Sequence, residues 1–188
     1  EKIPNKTPKV LEAYQQVLTY RGIQLLRNNA LDEAKTHLEQ SLQFRLEQRP
    51  QAMALYWLGD IAHREENYQN SINYVNQFLT LAKTMNNLPD ESSILTGNYL
   101  QGYNFFKQEE YSTAMRFFLE SVEGIKRNRR FIRNENITTN LLGDATLRTG
   151  DCYFKRNQYA EAVRYYDEAI NARYPEYVYA IYQKAIFI

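Results

Sequence analysis

Four glycines occupy one recurring slot. Gly22, Gly59, Gly102 and Gly150 each precede a small residue by twelve positions (Ala34, Ser71, Ala114 and Ala162). In three of the four cases another small residue follows seven positions later, at Ser41, Ser121 and Ala169. Glycine inside a helix costs about 1 kcal/mol relative to alanine. A chain that holds seven glycines in all and spends four on one slot is therefore expected to need close approach of helix axes there. The spacing predicts an all-α chain of antiparallel helical hairpins, each beginning with a glycine-bearing first helix. Five prolines leave little material for the turns of a β-sandwich, which agrees.

The last full unit, Gly143 to Pro175, is the clearest. Gly150 and Tyr153, then Ala162 and Tyr166, then Ala169 and Pro175 follow one order. It resembles the tetratricopeptide repeat, whose pattern runs Trp-x-x-Leu-Gly-x-x-Tyr, then Ala-x-x-x-Phe, then Pro. Thr146 and Thr149 fill the Trp and Leu slots, so the first helix departs from the pattern at two places. Gly102, Phe105, Tyr111, Ala114, Phe118 and Ser121 repeat the spacing one unit earlier, and Leu55, Leu58, Gly59, Tyr68, Ser71 and Val75 before that, with Phe78 replacing the last small residue. The first unit, Leu18, Gly22, Leu25, Leu31, Ala34, Leu38 and Ser41, is aliphatic where later units are aromatic. The resemblance implies an α-solenoid with a right-handed superhelix of about four and a half repeats. Their expected extents are 15–48, 52–84, 95–127 and 143–175, with the first helix of a fifth at 177–188. Residues 1–9 are read as an N-terminal extension and 10–188 as a single array.

Packing explains the pattern. A hairpin covers one apolar face by itself and needs its neighbour to cover another, so stability accumulates along an array. Aromatics such as Tyr111, Phe118, Tyr153, Tyr159 and Tyr166 are expected to fill the space between helices. The glycine slots lie 37 residues apart from Gly22 to Gly59, 43 from Gly59 to Gly102 and 48 from Gly102 to Gly150, against a family period of about 34. The surplus is expected before Pro50 and in loops around Met85 to Ser93 and Lys126 to Thr138. Pro50 and Pro175 suit helix starts. The count is nine helices, the ninth (Tyr177 to Ile188) unpaired and apolar, with Lys184 in its glycine slot. Natural arrays cap their ends with polar faces, and the chain begins at Glu1, so it reads as a fragment of a longer, bacterial repeat protein.

Chemistry is sparse. His37 and His63 sit in different repeats with no ligand partners at metal spacing, and no phosphate-cradling, dinucleotide or serine-nucleophile motif occurs. Cys152 follows a packing glycine and reads as a buried thiol. The expectation is no catalytic residue, no cofactor and no metal. Lys and Arg number 23 against 22 Asp and Glu, so no whole-chain field favours nucleic acid or an anionic membrane. No apolar run approaches the ~20 residues of a membrane span.

The resemblance implies a binding groove lined by the first helix of each hairpin. Carried over repeat by repeat, its positions are Thr19, Ile23 and Arg27; then Tyr56, Trp57, Asp60, His63 and Arg64. The third repeat supplies Tyr99, Tyr103, Phe106 and Lys107, and the fourth Leu147, Arg148, Asp151, Phe154 and Lys155. A set this aromatic and mixed in charge suits an extended peptide or a partner helix. The row Arg27, Arg64, Lys107 and Lys155 has a second reading as a solvated ridge, because Lys or Arg five after the glycine is common in the family it resembles. The family variant that clamps a carboxylate with asparagines after the glycine is not matched, because Ile23, Asp60, Tyr103 and Asp151 stand there.

Three functions follow in order of expectation. The first is a non-catalytic scaffold holding a protein or peptide. The second is an assembly subunit, as in the cell-envelope repeat proteins its Tyr- and Asn-rich units resemble, with self-association through the open end. The third is a nucleic-acid module using Lys126, Arg127, Arg129, Arg130 and Arg133, interleaved with Phe131 and Ile132. Compartment stays open, with the periplasm or envelope favoured on resemblance alone.

Overall fold

A computed structural model describes residues 7–186. The described residues form nine α-helices joined by short turns, with no strand among them. They divide between Leu88 and Pro89 into two compact units.

The N-terminal unit holds two hairpins: α1 (Pro8–Arg27) with α2 (Leu31–Leu42), and α3 (Gln48–Arg64) with α4 (Tyr68–Ala82). Thr7 caps α1 by accepting from the Val10 amide at 3.4 Å, and Pro8 opens the helix, where a missing N–H costs nothing. Helix α1 thus starts inside the stretch read as an extension. The Asn67 side chain caps α4 in the same way. Leu25, Leu26, Leu38, Met53, Leu58 and Ile61 make an aliphatic core. Beside it, the wholly buried Gln15 side chain accepts from the Leu46 and Glu47 amides and donates to the Glu47 carbonyl. That fastens the connection between the two hairpins.

The C-terminal unit holds α5 (Ile94–Lys107) with α6 (Tyr111–Asn128), α7 (Leu142–Lys155) with α8 (Tyr159–Asn171), and α9 (Tyr177–Ala185). Phe118, Val122, Ile125, Leu142 and Cys152 fill one core, and Leu147, Ala162, Tyr166, Ala169 and Ala180 the other. Tyr159, expected inside, is exposed, its hydroxyl on Asn157. The segment expected as a loop at Lys126 to Thr138 is largely helical. Helix α6 runs to Asn128, a 3₁₀ turn follows at Arg129–Phe131, and helix resumes at residue 135. The link between is held by the Asp90 carboxylate, which accepts from the Arg133 and Asn134 amides at 2.8 and 3.0 Å. The helix that resumes passes through a π turn at Ile137–Leu141 before becoming α7. Phe187 and Ile188, part of the expected open end, lie outside the described residues.

Each glycine of the recurring slot packs against the residue sixteen positions further on. A Cβ at Gly22 would lie 2.6 Å from Leu38, at Gly59 2.6 Å from Val75, at Gly102 2.6 Å from Phe118 and at Gly150 2.8 Å from Tyr166. The turn between paired helices is equally regular. Asn29, Glu66, Glu109 and Asn157, each seven after a slot glycine, have φ between 58° and 62°, the left-handed region. The next residue's amide returns to a carbonyl five back, as from Ala30 to Leu25 at 2.9 Å and from Asn67 to Ala62 at 2.8 Å. This satisfies carbonyls that the end of a helix leaves orphaned.

Candidate binding site

The first-helix positions separate into three groups. Thr19, Ile23, Tyr56, Leu147 and Asp151 are buried; Trp57, Asp60, His63, Tyr99, Tyr103, Phe106, Arg148 and Phe154 are half-buried; Arg27, Arg64, Lys107 and Lys155 are exposed. The exposed group is the row five residues after each glycine, where a long cationic side chain projects from the last turn of its helix.

In the N-terminal unit these side chains serve packing. Tyr56 lies edge-on to Phe78 at 5.3 Å between ring centroids and to Trp57 at 5.0 Å. The Thr19 hydroxyl shares a 2.6 Å hydrogen bond with Ser41 and donates to the Gln15 carbonyl. Asp60 pairs with Arg64 one turn on, at 2.7 Å. Burial raises the Asp60 pKa above the ordinary value against the pull of Arg64.

In the C-terminal unit they form one chain of charged hydrogen bonds. Asp144 Oδ2 accepts from Tyr99 at 2.8 Å and from Tyr103 at 2.5 Å. Arg148 donates through Nε to Asp144 Oδ1 at 3.3 Å and through its other end to Asp151. Asp151 Oδ1 accepts from Tyr166 at 2.7 Å and from Tyr179 at 2.9 Å, and the Arg148 guanidinium lies 5.2 Å from the centre of the Tyr179 ring. Helices α5, α7, α8 and α9 are thereby tied across one face. Burial opposes the charge on Arg148, but Asp151, with help from Tyr103 and Asp144, outweighs it and holds the pKa above the ordinary arginine value. Burial pushes the Asp151 pKa upward, against Arg148 and the two tyrosine donors. Burial and neighbouring charge raise Tyr99 and Tyr103 as well, so both stay protonated and donate.

Next to Asp144 lies a cavity of about 280 Å³. Tyr99 of α5 forms one wall, Asn136, Asn140 and Leu141 of the π-turn segment a second, and Pro175 and Glu176 of the α8–α9 connection a third. A π turn carries more residues per turn than an α-helix, and such turns often mark functional positions. Asp144 and Tyr179 were not among the positions carried over from the repeat pattern. The signal for Asp144 is its place one helical turn before Arg148, the spacing that Asp60 and Arg64 also show.

The basic segment is partly engaged. Lys126 pairs with Glu168 at 2.7 Å and Glu123 at 3.6 Å, while Arg130 stacks 4.6 Å from the ring centre of the exposed Phe131. Lys184, in the ninth helix's glycine slot, is bonded to Asp167. Among the described residues no three His, Cys, Asp or Glu side chains group around a metal-sized space, and no helix is long and apolar enough to cross a membrane.

Tetratricopeptide repeat models match residues 21–85 and 144–177. No curated protein matches the sequence. Solved structures share the fold at low identity. The apo form of RapI superposes at a TM-score of 0.69 with 16% identity, over 88% of this chain and 60% of that one. MamA from Desulfovibrio magneticus RS-1 superposes at 0.63 with 15% identity, over 84% and 75%. The Rap conjugation gene regulator of plasmid pLS20, in complex with the Phr* peptide, superposes at 0.60 with 13% identity, over 90% and 46%. The chain thus spans about three-fifths of the length of RapI.

Proposed function

Because the chain belongs to the tetratricopeptide repeat family, we propose that it is a non-catalytic scaffold that holds an extended segment of a partner protein along its first-helix faces. The observation that carries this reading is the hydrogen-bonded chain from Tyr99 to Tyr179. It fixes half-buried aromatic rings and a charged pair in place before any partner arrives. Rigid aromatic contacts held in place beforehand reduce the ordering cost of binding. The pLS20 regulator, a protein of similar fold, is seen with a peptide.

A test is binding to an immobilised panel of extended peptides. The double substitution Tyr103→Ala with Phe106→Ala should weaken binding at least about tenfold while far-UV circular dichroism stays helical. Full retention of binding by a folded double variant would sink the reading.

A second reading, an assembly subunit with the groove unused, draws on two exposed apolar stripes. Helix α9 shows Val178, Ile181 and Tyr182 to solvent, and α1 shows Tyr14, Val17 and Tyr20. On this reading the 188-residue chain self-associates in light scattering and Ile181→Glu returns it to a monomer. A strict monomer at high concentration removes the open-end contact.

A further inference from the structure

We propose that the cavity beside Asp144 receives one lysine or arginine side chain of the bound segment. The inference rests on the peptide-holding reading of this face and names what that face selects. Volume restricts the occupant first. About 280 Å³ falls just below the range of roughly 300 to 1,000 Å³ typical of pockets for whole small molecules, and suits one long side chain entering from a larger ligand.

Charge decides the rest. The cavity is lined by two acidic residues, Asp144 and Glu176, and two amide residues, Asn136 and Asn140, with no basic residue among its lining. The nearby cation of the network, Arg148, is bracketed by Asp144, Asp151 and the Tyr179 ring. Asp144 and Asp151 outnumber Arg148 by one negative charge, and Glu176 adds another at the rim. An anionic side chain would meet this excess without a free cation to receive it. An apolar one would strip water from carboxylate and amide groups and leave them unpaired, which costs more than a few methylenes return.

A cationic side chain meets neither objection. The Asp144 side chain keeps 24% of its surface open despite its three partners, and Oδ1 takes only the long 3.3 Å bond from Arg148, so it can accept another donor. The Asn140 amide nitrogen donates to Asn136 Oδ1 at 2.6 Å, so the group Asn140 can offer a ligand is its carbonyl oxygen, an acceptor. Tyr99 offers a ring wall for the aliphatic stem or for a guanidinium plane. Glu176 is exposed, so it contributes to attraction and orientation more than to tight pairing.

The experiment uses an array of acetylated, amidated twelve-residue peptides of random sequence, probed with the full chain and with Glu176→Gln and Asn140→Ala. Both substitutions fall on exposed side chains, so both variants fold, as circular dichroism will check. The expected result is that bound peptides share a Lys or Arg. Replacing that residue by norleucine should cost at least about tenfold in affinity, and each variant should bind severalfold more weakly, with the Glu176→Gln effect shrinking at high salt. Peptides that bind with no basic preference, or whose binding is unmoved by both variants, overturn the cation-receiving cavity and leave the peptide-holding reading standing. Absence of binding to any peptide overturns both.

Discussion

The two units solve the same packing problem with different chemistry. In the N-terminal unit the slot glycines face Leu38 and Val75, and the buried polar groups are neutral: Gln15, Thr19 and Ser41. In the C-terminal unit they face the rings of Phe118 and Tyr166, and beside neutral buried groups such as Gln101, Asn104 and Thr149 stands a charged one, Asp151, tied through the half-buried Arg148 to Asp144. Leu38 can change rotamer and Val75 presents a single methyl, whereas a ring wedged between helices moves as one plate. A neutral hydrogen bond can be lost at about 1 kcal/mol, whereas removing one partner of a buried ion pair leaves an uncompensated charge. The C-terminal unit is thus the more specified and the more brittle of the two.

Arg148→Met is the hardest test of that contrast. It strands two carboxylates, one of them buried, and should destabilise by about 3 to 5 kcal/mol. Thr19→Val, its neutral counterpart, should cost about 1 kcal/mol. Urea unfolding of the two variants side by side measures both, and equal losses would end the distinction between neutral and charged networks.

Next in size is the glycine slot. Gly102→Ala drives a methyl to 2.6 Å from the Phe118 ring and should lose about 1 to 3 kcal/mol to overpacking. At Gly59 the obstacle is one γ-methyl of Val75 at the same 2.6 Å, held by the single rotamer a helix favours for valine, so Gly59→Ala should also destabilise, at the low end of about 1 to 3 kcal/mol, because one methyl rather than a ring must give. Thermal melts that rank the two the other way round would show that ring rigidity is not what distinguishes the units. Gly150→Leu, against Tyr166, should be worse than either.

The hairpin turns should behave alike in both units. Glu66 and Glu109 adopt left-handed backbone at a cost glycine does not bear, so Glu66→Gly and Glu109→Gly should each stabilise by up to about 1 kcal/mol, less the entropy glycine adds to the unfolded chain. A gain at one and not the other would show that the turns differ in strain. The smallest effect belongs to Cys152. Burial pushes its thiol up to about 12, so at pH 8 it is protonated, and labelling by a maleimide should be negligible until the chain is unfolded.

Much of the architecture was readable from the four glycines, because a Cβ-free slot and the residue sixteen further on are a direct print of helix contact. The left-handed turns were harder to see: Glu66 and Glu109 are not turn formers, and the position is set by the helices on either side. The segment at 126–138 misled because charge and asparagine suggest a loop, while Asp90, some 43 residues earlier, holds the break to a few residues. At the candidate site the repeat pattern names Tyr99, Tyr103, Arg148 and Asp151 but not that they join into one network. That join depends on Asp144, and Tyr179 extends it to the ninth helix; neither belongs to the repeat pattern.

The π turn at Ile137–Leu141 has a consequence for how such a chain can change. A π turn is an α-helix with one residue too many. Deleting a single residue there would restore regular winding with the flanking turns facing nearly as before, because the wider turn absorbs the extra residue; the change would fall on the bulge itself, which carries Asn140 and Leu141 of the cavity wall. The packed interior of α7 with α8 would keep its contacts. Length variation of one residue would therefore reshape one wall of the cavity while the fold persists, a backbone change that point substitution cannot match.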